Sequence, residues 1–103
     1  MIRKVDDNIS VAPQIAVEDV AAIKAAGFTA IVNNRPDDEE AGQIPGDAIR
    51  AAALAAGLTY TAIPITHAGF SYPQIEAMAE VLAGADGPVL AFCRSGTRSC
   101  NLW

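Results

Sequence analysis

Residues Pro88-Val89-Leu90-Ala91-Phe92-Cys93-Arg94-Ser95-Gly96-Thr97-Arg98-Ser99 read as a buried strand that delivers a cysteine into a tight glycine-containing turn. The apolar run from Val89 to Phe92 is too short for a helix and is bounded by turn residues, as a strand buried on both faces requires. The turn beyond it has the makings of a chemical site. A free thiol, with a pKa near ~8.5, is mostly protonated at neutral pH, whereas a helix N-terminus and neighbouring cations lower it to roughly 3.5–7.5. Unpaired N–H groups of the loop and of the first helical turn point at one spot. Arg98, five positions after Cys93, can fork two hydrogen bonds onto an oxyanion there. The pattern is that of a nucleophilic cysteine in an anion cradle.

Working outward, short β-rich runs alternate with alanine-rich helical windows. Ile9 to Val11 reads as a strand, with Gln14-Ile15 as a further extended piece. Val17 to Ala26 has helical spacing and stops at Gly27, a C-terminal cap. Phe28 to Val32 is the next strand, broken by Asn33-Asn34-Arg35-Pro36, since proline disfavours helix in the residue before it. Asp47 to Ala56 is a helix closed by Gly57, and Thr59 to Ile63 a strand ended by Pro64. Ser71-Tyr72-Pro73-Gln74 opens a third helix with capping-box spacing and a proline in the first turn. Its stripe of Ile75, Met78, Ala79 and Leu82 runs to about Gly84.

Strand–helix alternation implies right-handed crossovers and an α/β fold in three layers, a mainly parallel sheet flanked by helices. Ligands in such sheets bind beyond the carboxyl ends of the strands. Asn33, Asn34 and Arg35 leave one strand, Thr66 and His67 follow another, and Cys93 leaves a third, so all should meet at one edge.

The 103 residues fit one domain, 1–103, with a core that needs no disulfide staples. Hydrophobic residues make up 51% and charged residues 18%, which excludes a disordered chain. A net charge of −5 argues against nucleic-acid partners and gives no basic membrane face. Two cysteines make no secreted-type disulfide framework, and no signal peptide or membrane-length apolar run is visible, so a cytoplasmic setting is expected. Two cysteines and one histidine fall short of a structural zinc site, and neither metal nor cofactor is expected.

The loop Cys93 to Ser99 resembles that of rhodanese-type sulfurtransferases and, more loosely, that of cysteine-dependent phosphatases. With Ile31 to Glu40 and Tyr60 to Ile65 included, the chain resembles a bacterial family of phosphatase-like domains. These domains occur alone or fused ahead of a β-lactamase-like hydrolase module and are often labelled sulfurtransferases. The resemblance implies a dual-specificity-phosphatase architecture, and a fused or separate hydrolase as partner. Four residues separate Cys93 from Arg98, the rhodanese count, where the phosphatases have five. No Asp follows Ile63-Pro64-Ile65 to serve as the phosphatase general acid. Both departures favour sulfur transfer through a Cys93 persulfide, from thiosulfate or a persulfide to a thiol acceptor. The alternative is a phosphatase acting on phosphate esters through a cysteinyl phosphate, and the third reading an anion-binding module without turnover.

The candidate catalytic residues are Cys93, Arg98 and the lone histidine, His67; anion contacts fall to Arg94, Ser95, Gly96, Thr97, Ser99 and Arg35. Ser99 is placed to donate to the thiolate, or else simply starts a helix. Arg35 is read as tying its loop down more than as a second cation. The run Asp37-Asp38-Glu39-Glu40 reads as a solvated loop or a helix start rather than a metal site. Cys100, two helical turns from Cys93, is poorly placed to pair with it. Only Ser99 to Trp103 follows Arg98, so the expectation is a domain truncated at its C-terminus, with core exposed around Trp103 that favours dimerisation.

Overall fold

In the computed structural model, residues 2–66 and 71–102 are described, the last three by their backbone alone. A five-stranded sheet organises them: β1 (Arg3–Lys4), β2 (Ile9–Ala12), β3 (Ala30–Asn33), β4 (Thr59–Ala62) and β5 (Val89–Phe92) stand in the order β1-β2-β5-β3-β4. All neighbours pair in parallel except β1, which runs antiparallel to β2. The strand that carries the cysteine is therefore central, held between β2 and β3 with Phe92 level with Ala12 and Asn33. The helices are α1 (Val20–Ala25), α2 (Gly46–Ala55), α3 (Tyr72–Gly84) and α4 (Thr97–Leu102).

Side-chain alternation along the strands divides the core between the two faces of the sheet. Ile31, Leu90 and Phe92 pack on one face with Val20 and Ile23 of α1 and Ile49 and Ala53 of α2. Ile9, Val32, Val89 and Ala91 pack on the other with Ile63, Ile65 and Met78 of α3. β2, β3 and β5 are buried at every position, as expected of parallel strands covered by helices on both sides. The doubly covered, mainly parallel architecture read from the sequence is the one observed.

The differences are local. The helix expected from Val17 begins as a 3-10 turn, Val17–Asp19, in which the Asp19 carboxylate accepts the Ala16 N–H at 2.8 Å. β3 starts two residues later than the apolar run suggests, at Ala30. Phe28 is instead packed against the core, and the Thr29 N–H is donated to Pro88 O. β1 adds a strand that the sequence pattern does not announce, because Arg3 and Lys4 carry no strand signal; both are exposed. At α3 the Ser71 N–H donates to Gln74 Oε1 at 2.5 Å, and Gln74 Nε2 reaches Pro64 O at 2.7 Å. The expected cap residue thus also moors the helix to the segment leaving β4. His67 and Trp103 lie outside the described residues. No helix among the described residues is long and apolar enough to cross a membrane.

Because Leu90 is fully buried at the middle of the central strand, Leu90→Ala should lower the unfolding free energy by about 2–5 kcal/mol, the range for emptied core sites. Urea titration of the two chains checks this.

Candidate active site

The loop after β5 is held by main-chain bonds to the segment following β2. Cys93 N–H donates to Ala12 O at 3.3 Å and Gln14 N–H to Arg94 O at 3.4 Å. Gly96 closes the turn with φ +91°. A Cβ there would stand 3.4 Å from the Ala12 carbonyl carbon and 3.1 Å from the Arg3 guanidinium. Left-handed backbone and close approach to β2 together require glycine.

Inside this turn the Gly96 N–H donates to Cys93 Sγ at 3.0 Å. Cys93 is fully buried. Burial alone raises a thiol's pKa, but the N–H groups of Ser99 and Ser95, the Ser99 hydroxyl and the Gly96 N–H outweigh it, and the thiol is held below its ordinary range. Ser99 is itself fully buried, and its Oγ has no geometrically complete hydrogen bond to any group. The hydroxyl acts on the sulfur by proximity and is free to turn its proton toward it.

Arg98 is engaged end-on. Its Nη1 donates to Glu39 Oε2 at 2.6 Å and to Ile65 O at 2.7 Å, and its Nη2 donates to Glu39 Oε1 at 2.7 Å. Glu39 and, less strongly, the Cys93 sulfur raise its pKa against the effect of burial. A guanidinium has five N–H donors. The Nε–H and the second hydrogen of Nη2 form a side-on fork that takes no part in these three bonds. The fork expected to meet an oxyanion end-on is taken by a carboxylate; the side-on fork is the one left.

Glu39 is the residue the sequence misassigned. Asp37, Asp38 and Glu40 are exposed, as a solvated loop requires, but the Glu39 side chain is only 10% exposed. Besides Arg98 it accepts Arg35 Nε at 3.0 Å. Asp37 Oδ1 accepts the Gly46 N–H, at the start of α2, at 2.8 Å. The turn between them places Asp38 at φ +59°, a conformation aspartate tolerates better than most residues. Arg35, with a side chain 4% exposed, also donates to Gln14 Oε1 at 3.1 Å and stands 3.6 Å from Glu40. It ties its loop down through Glu39 and Glu40. Arg94 is half-exposed and pairs with Glu40 at 3.0 Å. Ser95 and Thr97 are exposed, with their hydroxyls 3.2 Å apart.

The structure therefore brings together Cys93, Ser95, Gly96, Ser99, Arg98, Arg94 and Arg35 at one sheet edge and adds Glu39, Glu40 and Gln14 to them. A signal for Glu39 existed: three arginines predicted at one partly buried edge need anionic partners, and the nearest carboxylates in sequence are those after Pro36. The position of His67 is outside the described residues, as is the side chain of Cys100. Among the described residues no group of three His, Cys, Asp or Glu side chains could hold a metal ion.

Over residues 1–103 the chain matches the family described as beta-lactamase hydrolase-like protein, phosphatase-like domain. It belongs to that family. A beta-lactamase hydrolase-like protein of Agrobacterium fabrum is 36% identical over 100 residues, which are 97% of this chain but 23% of that protein. The chain thus spans about a quarter of that relative's length. A solved Neisseria meningitidis structure described as a candidate phosphatase is 34% identical, covers 99% of this chain and 72% of its own, and superposes with a TM-score of 0.89. The catalytic core of the Saccharomyces cerevisiae PP-IP phosphatase SIW14, at 13% identity, shares the fold with a TM-score of 0.75 over 98% of this chain and 60% of its own. The architecture is that of the cysteine phosphatases, and these likenesses favour the phosphatase alternative over the sulfurtransferase reading that loop length suggested.

Two measurements check the electrostatics. Glu39 is lowered from an ordinary 4.5 to about 2, chiefly by its hydrogen bond from Arg98, against burial. A depressed carboxylate contributes stability above its unfolded pKa and loses it as pH falls through the folded one. The stability gap between the native chain and Glu39→Gln should be constant above pH 5 and shrink between about 4.5 and 2. Alkylation of Cys93 by iodoacetamide should follow a titration with its midpoint below the ~8.5 of a free thiol, and Ser99→Ala should move that midpoint upward.

Proposed function

We propose that this chain hydrolyses phosphate monoesters through a cysteinyl-phosphate intermediate. The observation that carries the reading is the Ser99 hydroxyl, buried beside a sulfur already held by main-chain N–H groups. In the first half-reaction the Cys93 thiolate attacks phosphorus, an S–P bond forms, and the P–O bond to the leaving alcohol breaks. The side-on fork of Arg98 and the loop N–H groups stabilise the equatorial oxygens. In the second, water attacks phosphorus and the S–P bond breaks, releasing phosphate and returning the electron pair to sulfur. The sulfur must then be a good leaving group, and a hydroxyl donor that stabilises the thiolate makes it one. Membership of the phosphatase-like family and the cysteine-phosphatase fold support the same reading.

In the first half-reaction the leaving alkoxide needs a proton unless it is already a stable anion. His67 is the side chain the sequence offers for this role. Aryl phosphates, which leave as phenolates, depend on it least. Arg94 and Arg35 contribute positive charge at the rim, with Ser95, Gly96 and Thr97 supplying the turn. A small anionic phosphate ester is the substrate, and in longer relatives an adjoining β-lactamase-like hydrolase module is the partner.

A second reading rests on loop length. The four residues between Cys93 and Arg98 make a short turn suited to a persulfide on Cys93, with thiosulfate or a persulfide as donor and a thiol as acceptor. Purified chain incubated with para-nitrophenyl phosphate should release phosphate, Cys93→Ser should abolish release, and Ser99→Ala should leave a burst of phenolate followed by slow turnover. Thiocyanate formation from thiosulfate and cyanide that depends on Cys93, with no phosphate released, would reverse the order of the two readings.

A further inference from the structure

Beside the cysteine loop, at the carboxyl ends of β3 and β4, lies a cavity of about 390 Å³ that includes none of the residues from Cys93 to Ser99. Its polar groups come from Asn33, Arg35, Asp37, Asp47, Arg50 and Tyr60, set among apolar surface that includes Ala62 and Pro64. That volume falls at the small end of the range for sites that hold small molecules, roughly 300–1,000 Å³. It adjoins the sulfur through shared structure. Asn33 stands level with Phe92 in the sheet, and Arg35 is one of the two arginines that hold Glu39.

The wall is only partly satisfied by its own contacts. Asn33 Nδ2 donates to the Tyr60 hydroxyl at 2.9 Å, which leaves the phenol's own proton free to donate. Gly46 lets this cluster close over the start of α2. A Cβ there would stand 3.1 Å from Asn33 Nδ2 and from Asp37 Oδ1, and 3.3 Å from the Tyr60 oxygen. Arg35 is nine-tenths buried and engaged away from the cavity: its Nε and Nη1 donate to Glu39 and Gln14, and its Nη2 stands 3.6 Å from Glu40. Arg50 and Asp47 make no hydrogen bond or ion pair among the described residues. The free donors are thus those of Arg50 and Tyr60, and the free acceptors are carboxylate oxygens of Asp47 and Asp37. With Arg35 paired to Glu39 and Glu40, Arg50 alone faces two aspartates, so the cavity has no excess positive charge and would not hold a second phosphate by charge. Donors and acceptors interleaved over such a small site suit a group that gives and takes hydrogen bonds at the same atom, which a hydroxyl does.

We infer that this cavity receives the hydroxyl-rich remainder of the substrate, a sugar or a similar polyol, whose phosphate is delivered to Cys93. The inference rests on the phosphatase reading and specifies its substrate class. Vicinal hydroxyls bridge Arg50 and Asp47 at the mouth, and one hydroxyl accepts from the Tyr60 phenol, whose oxygen already accepts from Asn33. A phosphotyrosyl side chain, with a flat apolar ring, offers none of these groups.

The test compares glucose 6-phosphate with para-nitrophenyl phosphate on the full chain and on Arg50→Ala and Asp47→Asn, two exposed positions whose replacement is checked by thermal melting. Either variant should lower the ratio of kcat/KM for the sugar phosphate to kcat/KM for the aryl phosphate by tenfold or more. An unchanged ratio overturns the inference, and so does a phosphotyrosyl peptide turned over ten times better than the sugar phosphate. Calorimetry with Cys93→Ser separates this from failure of the phosphatase reading. Glucose 6-phosphate should bind at least tenfold more tightly than inorganic phosphate, and Arg50→Ala should erase the difference, even if neither ester is hydrolysed. Equal affinity for the two anions overturns the inference whatever the rates.

Discussion

One carboxylate, that of Glu39, joins the two arginines on which the shape of the site depends. It accepts Arg35 from the loop after β3 and Arg98 from the first turn of α4. Buried cations are costly unless paired, and removing one partner of such a pair is worse than never having made it. Arg35 and Arg98 come from segments 63 positions apart in the chain, and the shared acceptor gives them a common reference. Arg98 Nη1 also reaches Ile65 O, beyond β4. The guanidinium is thereby oriented by parts of two crossovers, and its side-on fork is set in place without any anion. Aiming of this kind is what electrostatic catalysis requires, because donors already in place need no reorganisation at the moment of reaction.

The charges at this edge nearly cancel. Arg35, Arg94 and Arg98 face Glu39 and Glu40, and an ionised Cys93 removes the remaining positive charge. An ionised sulfur would therefore complete a neutral cluster. This acts in the same direction as the hydrogen bonds that lower the pKa of a fully buried thiol in a chain of net charge −5. Most of the work is done by main-chain N–H groups, which carry no countercharge and cannot titrate.

Much of this was legible in the sequence. The fold followed from apolar runs of strand length separated by glycine- and proline-bounded helices, and the site edge followed from topology. The features that stayed hidden share a common cause. Periodicity reports which side of an element is buried, but the loop from Pro36 to Glu40 has no periodicity, and four successive acids look alike in composition. Only the left-handed turn at Asp38 separates Asp37, which accepts an N–H of α2, from Glu39, which is buried against two arginines. β1 escaped for a similar reason: two charged residues pair with β2 through backbone alone. The polar wall formed by Asn33, Tyr60 and Arg50 required knowing which strands are neighbours, and spacing along the chain does not supply that.

The two halves of the site are anchored mainly through different elements, joined by Gln14 and by the Arg94–Glu40 pair, and this bears on what each can tolerate. The sulfur is fixed by a turn whose bonds run to Ala12 and Gln14 after β2, closed by a glycine pressed against β2 itself. The arginine is fixed from the opposite flank, by the Glu39 carboxylate after β3 and the Ile65 carbonyl after β4. The lowered pKa of Cys93 is thus mainly a property of the turn and of Ser99, whereas the direction of the Arg98 fork is mainly a property of the acidic loop. A site divided in this way can change the anion it favours by altering Glu39 or its neighbours and still keep its nucleophile. Phosphoryl and sulfur chemistry both present an anionic group to a thiolate, so the length of the β5 turn bears on which group fits there, and the flank that carries Arg35, Glu39 and the cavity bears on what that group is attached to.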